Sequence, residues 1–328
     1  MSPLDALGLA PMSADMGRVE TALQGSVLSS DPFLSDVAGH LISAGGKRLR
    51  PALALCAAYA AKGVGPVSDD AITGGVSVEL VHLGSLYHDD VIDEAETRRG
   101  VPSVNARWSN IVAILAGDYL LARASSLAAS LGADVAALLA ATIGELCRGQ
   151  VLELQHLFDA DRSVEAYTSA IEGKTASLFG TACRVGGMVS AVDDTTLDAL
   201  TAFGHHLGMC FQIVDDVLDV TGTDESLGKP AGNDIHEGVY TLPVIHALGS
   251  SDSGASELRD MLGRKIDRSQ LDAVRALVTA GDAVERSIET ARGHAADASA
   301  VLASTSALDA EVVDGLTRLV DTLVTRQF

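Results

Sequence analysis

Apolar residues recur every three or four positions through nearly all of this chain, and nowhere do they alternate with the two-residue rhythm of a half-buried strand. Such a chain can fold only by burying the apolar stripes of helices against one another. Glycine and proline fall mostly between the periodic runs, at "SAGGKRLRP", "KGVGPVS" and "RRGVPSVN", which read as breaks and loops. The spacing predicts helices at about residues 18–28 and 33–44, through "ALALCAAYAA", and at 70–94, 108–130, 133–158, 164–172, 174–190 and 195–220. Five more follow, at about 235–249, 256–262, 268–280, 282–302 and 308–325. Residues 1–16 read as a flexible leader, and residues 17–328 as a single all-α domain without linker, low-complexity tract or solenoid repeat.

Composition narrows what such a domain can do. The chain is 47% hydrophobic but only 4% aromatic, so its core is built of alanine, leucine and valine. A formal net charge of -21 argues against broad nucleic-acid binding, while local basic clusters leave a small anionic ligand open. The four cysteines, Cys56, Cys147, Cys183 and Cys210, sit singly in apolar surroundings with no CxxC, and read as reduced, buried thiols of a cytoplasmic protein. No secretory signal is visible at the N-terminus, and no uncharged apolar run reaches the roughly 18 to 20 residues of a membrane span.

Against that background one pattern stands out because it occurs twice. "DDVIDE" begins at Asp89 and "DDVLDV" at Asp215. On a helix, Asp89 and Asp93 lie one turn apart, so their carboxylates leave one face about 6 Å apart along the axis. Asp215 and Asp219 do the same. An isolated acidic pair is usually a solvated face. Both of these, however, close apolar helices, where the macrodipole disfavours anions. Both follow buried-looking sequence ("LGSLY", "MCFQIV") and precede basic residues, Arg98 and Arg99 after the first and Lys229 after the second. Carboxylates so placed need a compensating cation. An all-oxygen set suits Mg²⁺, which keeps part of its water and bridges carboxylates to phosphate oxygens. Nearby arginines suit the remaining oxygens.

"GGKRLRP", "VHLGSLYHDDVIDEAETRRG", "GKTASLF" and "FQIVDDVLDVTGTDESLGKPAGNDIHEG" together resemble the trans-isoprenyl diphosphate synthases, in family order from Gly45 to Pro243. The resemblance implies an isoprenoid-synthase helical bundle around a central cavity, with the two aspartate motifs facing each other at its mouth. It implies Asp89, Asp93 and Asp215 as principal Mg²⁺ ligands, with Asp90, Asp216 and Asp219 as further or supporting ligands, and three ions per active site. Arg98, Lys174 and Lys229 would contact the allylic diphosphate, and Gln212 and Thr175 would offer oxygens to the developing allylic cation. Lys47, Arg50, His82 and Arg99 would hold isopentenyl diphosphate. A single histidine on an apolar helix is more often a core residue; for His82, seven residues before Asp89, the resemblance reverses that, while His88 stays structural. The chemistry implied needs no protein nucleophile: the allylic diphosphate ionises, the isopentenyl double bond attacks the cation, and the proton then lost can go to the departing diphosphate. One departure is "EGVYTLP", where Val239 stands in place of a frequent family lysine.

The resemblance also bears on product length. Short-chain members place a bulky aromatic four or five residues before the first aspartate. Here those positions are Ser85 and Gly84, followed deeper by Val81 and Ser77, and the opposite wall "GDYLLARASSLAAS" carries little bulk beyond Tyr119. These imply an open tunnel and a C30–C50 product of the size used for quinone side chains, with a C15–C20 farnesyl or geranylgeranyl synthase as the alternative. The expected form is a homodimer that touches membranes only transiently, for release of its apolar product. Rival readings are a di-iron carboxylate bundle built on "ELVH" (Glu79, His82) and "ELQH" (Glu153, His156), a class I terpene cyclase, and a non-catalytic subunit of a heteromeric synthase. The first leaves both aspartate motifs unexplained. A cyclase's second motif would read differently from DDVLD, and non-catalytic partners typically lose the motifs that are intact here.

Overall fold

The computed structural model describes residues 3–223, 231–251 and 253–325. These residues are almost entirely helical and fall into two compact units. The first takes its residues from Met1–Ile143, Leu178–Gly204 and Ala300–Leu319, the second from Gly144–Ser177, His205–Ser299 and Val320–Phe328.

In the first unit the central element is the helix Asp69–Ile92, which we call the first aspartate helix. Ser68 caps its start by accepting from the Ala71 amide, and Asp69 and Asp70 sit where the macrodipole favours anions. It is buried on most sides, and glycine sets how closely its neighbours approach. A Cβ on Gly84 would stand 3.1 Å from the Gly117 carbonyl and 3.1 Å from Leu121 Cγ, so this helix and Asn110–Leu131 meet almost backbone to backbone.

Residues 3–16 differ from the loose leader read in the sequence. Pro3–Leu7 is a helix, and Met12–Ser26 begins inside the stretch. Leu7, Leu9, Met12 and Met16 are buried, and Arg318 donates to the Ala6 and Leu7 carbonyls at 3.0 and 2.7 Å. An apolar patch that packs and is pinned by a guanidinium gains order that its composition does not announce.

The "RRGVPSVN" loop contains the described strands. Thr97–Arg98 pairs antiparallel with Val101–Pro102, leaving Arg99 and Gly100 as a two-residue connection. Both have positive φ, 54° and 76°, the requirement of a type I′ hairpin turn.

The second unit has its own core, in which Val220, Ile235, Tyr240, Leu258, Leu271 and Val274 are among the buried residues. The helix expected at 235–249 is two, Asn233–Glu237 and Leu242–Leu248. Gly238 in the left-handed region ends the first, and Pro243 sits in the opening turn of the second. The break expected near residue 173 is instead a π-helical turn, Glu172–Ala176, between helices Val164–Ile171 and Ser177–Met188. Its cause is a close approach: a Cβ on Gly173 would lie 2.7 Å from the Glu145 carbonyl, and one on Gly149 would meet the Lys174 amide.

One sequence expectation needs correction. Cys56, Cys183 and Cys210 are buried, but Cys147 is exposed, on the outer side of helix Ala133–Gln155. By length and composition, Asn110–Leu131 and Ala133–Gln155 are long and apolar enough to cross a membrane, each with a mean hydropathy of 1.4 over its most apolar stretch. Neither is an uncharged run: Asp118 and Arg123 interrupt the first, and Asp134, Glu145, Arg148 and Glu153 the second.

Candidate active site

In the first unit the aspartate motif closes its helix in the expected register. Asp93 is the C-cap, its amide donating to the Asp89 carbonyl at 2.8 Å. Asp89 is half-buried and Asp93 exposed, whereas Asp90 between them is fully buried. Arg98 reaches back from the hairpin and holds Asp90 Oδ1 through Nε at 2.7 Å and Nη2 at 2.6 Å. Burial raises the Asp90 carboxyl above its ordinary range, with Arg98 opposing it. The other oxygen, Oδ2, is buried with no hydrogen-bond partner among the described residues. A buried lone-pair atom left in that state is a costly arrangement unless something cationic completes it.

Behind this motif lies a basic cluster. Arg48 is buried in an ion pair with the equally buried Glu79, Nη1 to Oε1 at 3.0 Å, and also bonds Glu20. Arg99 turns away from Arg98 because of the hairpin, and its Nη1 donates to the Leu41 carbonyl at 3.0 Å and to that of Gly45. Arg50 lies 4.7 Å above the Phe179 ring, and burial, with Arg99 adding to it, lowers its guanidinium to about 10. Among the described residues, neither Arg50 nor Arg99 has a carboxylate within ion-pair distance. Burial and the guanidinium groups of Arg50, Arg99, Arg98 and Arg48 hold His82 well below its usual pKa, so its imidazole is neutral. Of these four guanidinium groups Arg48 and Arg98 are paired with carboxylates, and Arg50 and Arg99 are the ones placed to meet an anion. Lys47 is exposed on the same "GGKRLRP" segment.

The second unit builds its motif on helix Asp194–Thr221, the second aspartate helix, with different partners. Asp215 is exposed; Asp216 and Asp219 are buried. Asp216 accepts from the Tyr167 hydroxyl at 2.6 Å and from Gln212 Nε2 at 2.7 Å. Gln212 Oε1 accepts in turn from Thr175 at 2.8 Å, so Gln212 is held at both ends. Burial, with the charges of Asp215 and Glu153, pushes the Asp216 carboxyl up to about 7 against those two hydrogen bonds. Asp219 accepts from the Asp234 amide at 3.1 Å through Oδ2, which ties the helix end to the start of helix Asn233–Glu237. Lys174, on the π turn, is paired with Glu153 at 2.5 Å. Lys229 lies outside the described residues.

Sequence reasoning did not identify Arg48, Tyr167 or Arg162. The first stands inside a quoted motif. Tyr167 and Arg162, whose guanidinium lies 5.6 Å from the Tyr167 ring, carry no sequence signal at all. The same contacts remove the di-iron reading. Glu79 serves Arg48, Glu153 serves Lys174, and His156 bonds Asp159 at 2.8 Å, so neither Glu-x-x-His pair is assembled as a metal site. His88 Nε2 lies 3.2 Å from the Ile114 carbonyl and 3.4 Å from Asp118 Oδ1.

The proposed tunnel wall divides. Ser77 and Val81 have no exposed surface, and Gly84 is taken up by packing on Gly117 and Leu121. Ser85 alone of the four is half-buried, its hydroxyl turned back to the His82 carbonyl at 2.8 Å.

The family model described as Polyprenyl synthetase matches residues 31–279. The chain belongs to the polyprenyl synthetase family. It is 42% identical over 265 residues to the nonaprenyl diphosphate synthase of Mycobacterium tuberculosis, covering 80% of this chain and 78% of that one. The crystal structure of a Caulobacter crescentus polyprenyl synthase complexed with calcium and isoprenyl diphosphate is similar with a TM-score of 0.92. That likeness is at 33% identity and covers 99% of this chain and 98% of that one. A geranylgeranyl pyrophosphate synthase from Corynebacterium glutamicum is similar at 39% identity, TM-score 0.83, over 97% and 96% of the two chains. The fold is the all-α isoprenoid-synthase fold. As a member of this family the chain is a trans-prenyltransferase, joining isopentenyl diphosphate to an allylic diphosphate with release of diphosphate.

Proposed function

We propose that this enzyme makes a medium-to-long all-trans-polyprenyl diphosphate, C30 to C50, with magnesium as its metal. The observation that carries the length is Ser85, four residues before Asp89, small and half-buried where an aromatic side chain would close a tunnel. The naming of relatives as nonaprenyl, heptaprenyl and octaprenyl synthases supports it. The geranylgeranyl synthase among the similar structures keeps C20 as the competing outcome.

The donor set fits a hard divalent ion. The candidate ligands are carboxylates throughout, Asp89, Asp90 and Asp93 in the first unit and Asp215, Asp216 and Asp219 in the second. The orphaned Asp90 Oδ2 is the atom a cation would complete. Magnesium, three ions by family resemblance, supplies charge neutralisation for the departing diphosphate. Arg98 in the first unit and Lys174 in the second are assigned to allylic diphosphate oxygens; each already stands beside a carboxylate that holds it in place. Gln212 and Thr175 present fixed oxygens to the allylic carbon as it becomes positive, and Lys229 keeps its role from the sequence. Arg50, Arg99, Lys47 and neutral His82 hold isopentenyl diphosphate, whose double bond then attacks the allylic carbon. No described side chain is assigned as the base; the proton lost goes to the released diphosphate.

The chain acts as one catalytic domain of a cytoplasmic enzyme, without nucleic acid and without a membrane span, touching membranes only as product leaves. The homodimer rests on exposed apolar side chains: Ile111, Ile114 and Leu115 are 71%, 43% and 61% exposed on one helix. Sedimentation showing a stable, active monomer removes that part. Incubation with Mg²⁺, excess isopentenyl diphosphate and each allylic primer, followed by chromatography of the dephosphorylated products, tests the whole. A series ending between C30 and C50 is expected, and an end point of C20 or shorter overturns the length.

A further inference from the structure

Away from the aspartate motif, the second unit gathers a set of donors that prenyl transfer does not use. His206 lies on the second aspartate helix, and His294 and Asp297 lie on the helix Ala283–Ser304. The Nδ1 atoms of the two histidines are 3.2 Å apart, and Asp297 Oδ2 is 3.9 Å from His206 Nδ1. All three donor atoms lie within 4.8 Å of one another. His294 and Asp297 are three residues apart, so they share a helix face. The imidazole rings are tilted at 41° with centroids 5.5 Å apart, a geometry in which two nitrogens converge rather than two faces stack.

Two imidazole nitrogens this close cannot both carry a proton. They share one hydrogen, or they share a cation. Ligands about 2.0 to 2.1 Å from a tetrahedral ion stand roughly 3.3 Å from one another, which is the spacing the two histidines already have. Asp297 needs to close by about half an ångström on His206 and by up to about 1.5 Å on His294, and its 65% exposed side chain has room to rotate. His206 is 28% exposed, so an ion has a path from solvent.

We propose that His206, His294 and Asp297 form a site for a borderline divalent ion of the zinc class, with water as the fourth ligand. Two imidazoles and one carboxylate suit Zn²⁺, Co²⁺ or Ni²⁺ and serve Mg²⁺ poorly, so the site is chemically distinct from the carboxylate clusters. It ties the second aspartate helix to Ala283–Ser304. His206 is nine residues from Asp215, about 13 Å along the helix. The ion therefore acts on the stability of that helix and takes no part in the reaction.

The test uses the full chain, freed of metal by a chelator and then held in excess Mg²⁺ to occupy oxygen-only sites. Titration with Co²⁺ should fill one further equivalent with the intense visible bands of a tetrahedral ion. His206→Ala and His294→Ala should abolish those bands, and Asp297→Asn should weaken binding at least tenfold. Circular dichroism checks that each variant is folded; Asp297→Asn, at an exposed position, keeps the test open if a histidine variant is not. Zn²⁺ should raise the Tm of the wild type and leave that of His206→Ala unchanged. Only weak six-coordinate bands, no uptake in excess Mg²⁺, or the same uptake in all variants would each overturn the site.

Discussion

The two aspartate motifs are alike in sequence and unlike in surroundings. In each, the second aspartate is buried and an outer one reaches solvent. In the first unit Asp90 is neutralised by a guanidinium, Arg98, contributed by a hairpin. In the second, Asp216 has a phenol and an amide, Tyr167 and Gln212, and no cation on it at hydrogen-bond distance among the described residues. A repeated motif therefore does not mean a repeated site. Burial raises both carboxyls, but in the first the guanidinium opposes the rise, while in the second only neutral donors do and it reaches about 7.

The largest expected effect concerns what the motifs have in common. Asp89→Ala and Asp215→Ala should each lower turnover by roughly a thousandfold or more, because each removes a candidate ligand of the metal that would neutralise the departing diphosphate. Circular dichroism should show both folded, since Asp89 is only half-buried and Asp215 exposed. If either variant keeps a near-wild-type rate in a steady-state assay, that motif is not part of the metal-binding machinery.

Next in size is the contrast itself. Arg98→Ala strands a fully buried carboxylate and should cost roughly 3 to 5 kcal/mol in denaturant unfolding. Tyr167→Phe removes one of two neutral donors and should cost roughly 1 to 2 kcal/mol. Equal losses would mean that the two buried aspartates are neutralised to the same extent, and the contrast would fail.

Much of this is legible in the sequence. Most helix positions and both motifs can be read from period and spacing, because those signals are local; Lys47, Arg50, His82 and Arg99 follow only from the family resemblance, and Arg48 from neither. The contrast is not legible there. It depends on where Arg98 and Arg99 point, which a two-residue turn decides by placing Arg99 at φ 54°. It depends also on Tyr167, distant in sequence from Asp216 and brought to it by packing. The π turn carrying Lys174 was invisible for a similar reason: it follows from Gly173 meeting Gly149 and Glu145, a contact no local pattern encodes.

Substrate affinity gives the next comparison. Arg50→Ala should raise the KM for isopentenyl diphosphate and Lys174→Ala that for the allylic primer. Each should cost about 1.5 to 3 kcal/mol, the range for a charge-assisted hydrogen bond. If both variants shift the same substrate in initial-rate kinetics, the division of roles is wrong.

A smaller effect follows from Asp216. Its carboxyl titrates near 7 when folded, against about 3.9 in an unfolded chain. A raised folded value means stability that is complete below the unfolded pKa and lost as pH rises toward the folded one. Metal-free protein should therefore lose stability between about pH 4 and pH 7 from this group. Asp216→Asn should flatten that part of the profile in thermal melts. An unchanged slope would show that Asp216 stays ionised, as a paired carboxylate does.

The smallest effect on rate, though not on outcome, comes from the residues one turn before each motif. Four residues ahead of Asp215 stands Phe211; four ahead of Asp89 stands Ser85. Ser85→Phe copies the second helix into the first. Ser85 is half-buried and its hydroxyl bonds only within its own helix, so the ring can be accommodated there at small cost to folding. An extended five-carbon unit is about as long as one helical turn, roughly 5 Å. A ring at this level should therefore stop elongation at C15 to C20 while the rate of the first condensation changes little. Gly84→Tyr, equally bulky and one residue away, should behave differently. Its Cβ would press on the Gly117 carbonyl and Leu121, forcing Asn110–Leu131 outward, so it should lower Tm instead of trimming the product cleanly. Product chromatography and melting curves on the two variants separate a tunnel wall from a helix contact. If Ser85→Phe still makes the wild-type product, the tail does not pass this helix at Ser85.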